Sequence, residues 1–233
     1  RAGAGAARPG GAMDRMDRRL WSNDPMDEVE LRTLLERGSQ ESGYTLRPIH
    51  LTEEEIHKYY FGFANEIIWP LFHDLPTRCN FDPAYWAVYE RVNAKFAQVI
   101  ATNTCEEDYV WVHDYQLFLV AQYLQIMGVQ RQTGFFLHIP FPPLDGFVKL
   151  PWRFQVLQAL LGYELVGFQT MRDRRNFVDC VRMLLPQVQV ESHGHIARCR
   201  LPDREVLVGA FPISIDFKQF AETAATPEVQ DQA

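Results

Sequence analysis

The chain has 233 residues, 47% of them hydrophobic and 23% charged, an ordinary globular composition able to fill one sizeable core. A formal net charge of -7 argues against the basic footprint of a nucleic-acid binder, and no run of about 18 apolar residues exists to span a membrane. Cys79, Cys105, Cys180 and Cys199 stand far apart with no C-x-x-C pair, which argues against a zinc ribbon, a thioredoxin-type site and a disulfide scaffold, and makes a reducing, cytoplasmic home the expectation.

The first 43 residues differ from the rest. Residues 1–11 (RAGAGAARPGG) are too poor in apolar side chains to pack and lack the apolar stretch of a secretory signal. Their Arg-rich, transit-peptide-like character is interrupted by Asp14 and Asp17. Residues 1–43 are therefore expected to form a low-complexity or disordered arm, with a short polar helix over 24–37 capped by Asp24. Residues 44–50 (YTLRPIH) read as a strand that Pro48 confines to an edge. Thr52 followed by Glu53, Glu54 and Glu55 is a capping-box start for a helix through the aromatic segment to 72, broken near Pro70. Helices follow over 83–100, 115–127, 150–161 and 172–185. They alternate with short apolar strands over 109–113 (YVWVH), 134–139 (GFFLHI) and 164–168 (ELVGF), which predicts βαβ units and a parallel sheet covered on both faces. Residues 188–211 read instead as strand, turn at His193-Gly194, strand, and a last strand over 205–211. The fold class is α/β, a Rossmann-like doubly wound, mainly parallel sheet.

Ligand crevices of such sheets lie at the carboxyl ends of the strands. Three polar groups stand there: Asp114, after His113, behind the first strand; His138 closing the second; and Gln169 behind the third. In one reading they line a single cleft. In the other, Asp114 caps the next helix and His138 is a satisfied core histidine. Tyr59, Tyr60, Phe61, Phe63, Trp69 and Phe72 have helical spacing, which suits core packing first and a sugar-stacking face second. Arg172, Arg174 and Arg175 open a helix, where positive charge opposes the dipole, so a solvated or salt-bridged surface is expected. His193 and His195 suit an exposed turn better than a metal site. No glycine-rich phosphate loop, G-x-S-x-G elbow or H-E-x-x-H motif occurs. The residues alone give a cleft with one acid, one histidine and one amide, and name no substrate.

Six strings occur in one order: WPLFH (69–73), WVHDYQL (111–117), GFFLHIPFP (134–142), LPW (150–152), GFQT (167–170) and FPISID (211–216). Together they resemble the trehalose-6-phosphate synthase family of retaining glycosyltransferases, which also contains glucosylglycerol-phosphate synthases, over about residues 44–220. The resemblance implies that residues 44–216 form the N-terminal, acceptor-side Rossmann-like domain of a two-domain GT-B glycosyltransferase. Residues 217–233 would begin the link to a donor domain absent from this chain. It implies transfer of glucose from a nucleotide-glucose, UDP-glucose foremost, to glucose 6-phosphate, giving trehalose 6-phosphate, with no cofactor and no metal. The partners implied are that donor and a sugar-phosphate acceptor, with no nucleic acid and no membrane; a homo-oligomer is compatible, although no interface is legible. By the resemblance, Tyr60, Trp69 and Asp114 bind the acceptor, while His138 and Gln169 lie on the donor side of the cleft. Asp114 and His138 are the catalytic pair, acting through position and charge.

Nothing in residues 1–43 resembles the family's opening strand with its phosphate-holding Arg and paired Gly. The chain is therefore expected to be a fragment, inactive alone. CNFDPAYW (79–86) and RDRRNF (172–177) are similar to stretches of some glucosylglycerol-phosphate synthases, which keeps glycerol 3-phosphate as the alternative acceptor. A non-catalytic sugar-phosphate-binding subunit is the reading from another class.

Overall fold

Short apolar runs build the parallel part of a six-stranded sheet. In the computed structural model, which describes residues 28–226 and residue 229, the strands are β1 (Tyr109–His113), β2 (Gln132–Leu137), β3 (Leu165–Phe168), β4 (Gln189–His193), β5 (Ile196–Arg200) and β6 (Glu205–Ala210). Their order is β1-β2-β3-β6-β5-β4. The first four in that order run parallel, whereas β6, β5 and β4 form an antiparallel meander. Helical segments are α1 (Glu28–Ser42), α2 (Glu53–Glu55), a wide i→i+5 helix (Ile56–Ile68), α3 (Trp69–Phe72), α4 (Pro83–Asn103), α5 (Val120–Ile126), α6 (Leu144–Phe147), α7 (Arg153–Leu160), α8 (Met171–Leu184) and α9 (Phe217–Ala224). None among the described residues is long and apolar enough to cross a membrane.

The chain divides into two units, residues 1–56 and 57–233. In the first, α1 runs five residues past its expected end and stops at Gly43, whose φ of 77° suits the residue after a helix; its expected cap, Asp24, lies outside the described residues. Residues 44–50 form no strand. Pro48 has no N–H to give a ladder, the Leu46 N–H donates to Ser39 Oγ (3.0 Å), and none of the six strands pairs with them. The capping box is present, with Thr52 Oγ1 accepting from the Glu55 N–H (3.2 Å) and Glu55 Oε2 from the Thr52 N–H (2.9 Å).

In the second unit the break expected near Pro70 is a change of helix type. Pro70 falls in the first turn of α3, where a missing N–H leaves no bond unmade. The helix expected over 115–127 is a 3₁₀ turn (Tyr115–Leu117) followed by α5. One face of the sheet is packed. Val110, Val112, Phe135, Val166, Phe168 and Val208 are buried there. Ring centroids lie 5.6 Å apart for Phe118–Phe135, 5.2 Å for Phe135–Tyr163 and 5.3 Å for Phe168–Phe177. A second cluster joins Phe63 of the wide helix to Trp86, Tyr89 and Trp152, at 5.2, 4.3 and 5.4 Å, so part of the aromatic stripe is core.

Among the described residues the other face is covered only in part, against the expectation of a sheet covered on both sides: Phe136 is buried but the β1 side is open. Exposed and buried positions alternate along β1, and Tyr109 and Trp111 are 51% and 62% exposed. Rings from the strands lie across this face instead. Gly167 and Gly209 pair across β3 and β6; a Cβ at Gly167 would come 2.8 Å from the Phe136 ring, and one at Gly209 would run into the Phe211 ring. Arg174 is a further correction. It is buried and donates to Val208 O (3.4 Å) and Ser192 Oγ (2.8 Å), so the arginine-rich start of α8 is partly core. His193 and His195 are exposed beside the β4–β5 turn, as expected.

Candidate active site

β1 and β2 are in register with His113 opposite Phe136, so the residues just beyond their ends meet. Asp114 sits at φ 70° and ψ 168°, a backbone conformation essentially reserved to glycine, which an aspartate holds only under strain. Its N–H extends the ladder to Phe136 O (2.8 Å). Its carboxylate Oδ1 accepts from the N–H groups of Tyr115 (3.1 Å) and His138 (3.3 Å). The capping role read from the sequence is therefore present, and the same oxygen also reaches across to the loop that follows β2.

The His138 side chain meets a second imidazole. His113 Nδ1 lies 2.9 Å from His138 Nε2, with the rings stacked 5.2 Å apart at 25°. Trp111 lies 4.5 Å from the His113 ring and Phe136 lies 4.8 Å from that of His138. Desolvation, then the neighbouring His138, makes His113 harder to protonate than a free histidine, with Asp114 opposing the shift.

Tyr115 connects Asp114 to the wide helix. Its hydroxyl donates to Asn65 Oδ1 (2.9 Å). Burial, followed by the fields of Asp114 and Tyr60, pushes its phenol up to about 12. Tyr60 lies within electrostatic reach of Tyr115 and packs edge-on against Phe61, 5.3 Å between ring centroids. Trp69, 39% exposed, belongs to a separate stack with His73, 4.1 Å between ring centroids.

Gln169 Oε1 accepts from the Ile213 N–H (2.9 Å), fastening the FPISID segment beside the end of β3. The loop after β2 is held by the start of α8. The buried Asp173 accepts from the Phe141 N–H (3.2 Å) and Asn176 Nδ2 donates to Phe141 O (2.8 Å), while Thr170 Oγ1 caps α8 by accepting from the Asp173 N–H (3.2 Å). A cleft of about 530 Å³ opens on the partly covered sheet face, with Trp111, His113, Phe136, Phe211 and Ile213 among its walls. His138 and Gln169 are hydrogen-bonded to two of these wall residues, His113 and Ile213.

Asp114 and His138 are thus brought together and Gln169 is tied to the cleft wall, while Tyr60 and Trp69 make ring contacts of their own, with Phe61 and His73. The sequence places His113 beside Asp114 at the first strand end without giving it a role, and marks neither Asp173 nor Asn176 as a site residue. His113 had a signal, because parallel strands of known register bring 113 and 138 side by side. Asp173 and Asn176 had none, since they act on a backbone 32 and 35 positions away. A carboxylate, an imidazole pair and an amide at three neighbouring strand ends are suited to holding the hydroxyls of a polyol or sugar.

Comparison with known proteins agrees with this chemistry. The model of glycosyltransferase family 20 matches residues 13–233, reaching past both ends of the resemblance read over 44–220. The trehalose-6-phosphate synthase of Mycolicibacterium gilvum (strain PYR-GCK) is 40% identical over 200 residues, which are 83% of this chain and 39% of that protein. The crystal structure of an alpha,alpha-trehalose-phosphate synthase from Burkholderia xenovorans, in complex with glucose-6-phosphate, superposes with a TM-score of 0.73 at 32% identity, covering 78% of this chain and 41% of its own. An E. coli structure bound with UDP-2-fluoro glucose gives a TM-score of 0.69 at 35% identity, over 76% and 38%. The chain spans about two fifths of the length of these relatives. Sheet, strand-end site and family match converge: the chain belongs to glycosyltransferase family 20.

Proposed function

We propose that this chain is the acceptor-side part of a retaining glycosyltransferase of trehalose biosynthesis, moving glucose from UDP-glucose to glucose 6-phosphate. In this reading residues 44–216 form the acceptor-side domain of a GT-B enzyme and residues 217–233 begin its interdomain link. The observation that carries the reading is the single Asp114 carboxylate oxygen that joins the ends of β1 and β2. Tyr60, Trp69 and Asp114 bind the acceptor; His138 and Gln169 face the donor glucose. The acceptor hydroxyl attacks on the face from which the nucleoside diphosphate departs, and a donor phosphate oxygen takes its proton. The protein's part is orientation and electrostatic stabilisation. The relatives solved with glucose-6-phosphate and with UDP-2-fluoro glucose support these substrates.

The alternative acceptor, glycerol 3-phosphate, rested on RDRRNF and CNFDPAYW. Both strings have structural uses that need no acceptor: Asp173 and Asn176 hold Phe141, Arg174 is buried, and Asp82 caps α4 by accepting from the Ala84 N–H (2.8 Å). The test is transfer from UDP-glucose to each acceptor by the gene product that carries this chain. Turnover with glucose 6-phosphate is expected, and Asp114→Asn should lower kcat/KM for it by about ten- to a hundredfold, the worth of a hydrogen bond to a charged group. Turnover with glycerol 3-phosphate alone would overturn the acceptor. Binding of glucose 6-phosphate without turnover would replace the enzyme by a sugar-phosphate-binding subunit.

A further inference from the structure

The site just proposed leaves one titratable side chain without a role. His113 ends β1, and its Nδ1 lies 2.9 Å from His138 Nε2. At that separation the two nitrogens share one proton, since two N–H groups or two lone pairs cannot face each other favourably. The contact fixes which His138 nitrogen is occupied within the protein, and leaves Nδ1 as the free one. His138 is held at a second point as well, because its backbone N–H donates to Asp114 Oδ1 (3.3 Å).

We infer that His113 is a positioning residue for His138, fixing its ring orientation and its tautomer for the sugar that His138 faces. The inference rests on the site reading above. Two aspects of the geometry support it. The rings stack as well as hydrogen-bond, at 5.2 Å and 25°, so both tilt and position are restrained. Trp111 and Phe136 lie against the pair, and these side chains wall the cleft with His113, so both imidazoles are packed against aromatic rings although the contact between them is exposed. The other groups facing His113 are the rings of Trp111 and Phe136, the His138 imidazole and the Asp114 carboxylate. Desolvation makes His113 harder to protonate, and of these groups the Asp114 carboxylate opposes that shift, favouring the protonated ring.

The experiment compares His113→Phe, His113→Asn and His138→Ala in the gene product carrying this chain. His113→Phe keeps a flat ring and removes Nδ1; His113→Asn restores a polar group near that position. Expected for His113→Phe is a roughly tenfold fall in kcat, the equivalent of one modest hydrogen bond, with KM for glucose 6-phosphate within twofold of wild type. His113→Asn should recover to within about threefold of wild-type kcat. In nitrogen-15 spectra of the histidine rings, His138 should hold one tautomer in the wild type and become a mixture in His113→Phe, whether or not turnover is measured.

If His138→Ala loses activity while His113→Phe keeps wild-type kcat and a single His138 tautomer, the positioning role is refuted and the site reading stands. If His138→Ala is itself fully active, the site reading fails first. Equal losses in His113→Phe and His113→Asn, accompanied by lowered thermal midpoints, would make His113 a structural residue and overturn the inference.

Discussion

The two faces of the sheet use aromatic side chains in opposite ways. On the packed face Phe135 and Phe168 are almost wholly buried against Phe118, Tyr163 and Phe177, and the rings fill volume. On the other face Tyr109, Trp111 and Phe211 keep 51%, 62% and 41% of their surface; Tyr109 lies over Gly134, Phe211 over Gly167 and Gly209, and all three wall a cleft. The same residue classes therefore serve stability on one side and site architecture on the other. Register decides which: alternation along a strand sends neighbours to opposite faces. Val110 and Val112 go to the core, while Trp111 and His113 go to the cleft.

This contrast makes unequal predictions. Phe168→Ala should lose about 3–5 kcal/mol, as large-to-small changes in a filled core do, whereas Trp111→Ala should change stability by no more than about 0.5 kcal/mol. Denaturant midpoints of the two variants measure the difference, and equal losses would break the comparison. Asp173→Ala comes next. It removes the partner of the buried Phe141 N–H, for an expected cost of about 1–3 kcal/mol, together with faster amide exchange at Phe141. The smallest effect concerns pH. His113 resists protonation in the folded state, so the unfolded chain binds the extra proton, and stability should fall as pH drops below the ordinary histidine value of about 6.5. Above that pH the contribution vanishes. His113→Phe should flatten this slope in thermal midpoints recorded from pH 5 to pH 8, sharpening the assignment of His113 to the open face.

The parallel strands were legible because each is a short apolar run flanked by polar helix starts; β1 falls on the residues read from YVWVH. The meander after α8 was legible from its glycine turn. Residues 44–50 were misread because strand propensity describes a segment while a ladder needs a partner, and Pro48 together with the Ser39 contact left none. The wide turns of Ile56–Ile68 were invisible, since apolar spacing over so short a stretch does not separate i→i+4 from i→i+5 bonding. At the site, Asp114, His138 and Gln169 were legible as polar residues at strand ends, and sequence position went no further. It missed the contacts that orient them, because His113 needs β-sheet register and the Asp173–Phe141 bond joins residues far apart in sequence.

Asp114 has a consequence for which sequences this fold can explore. With φ 70° and ψ 168°, position 114 adopts a backbone conformation that only glycine takes freely and that costs any other residue on the order of 1–3 kcal/mol. Glycine would relax the backbone but abandon the side chain, so the carboxylate at position 114 is kept against the backbone's own preference. A binding assay on Asp114→Gly would mix the release of that strain with the loss of the oxygen. Asn is the replacement that separates the two.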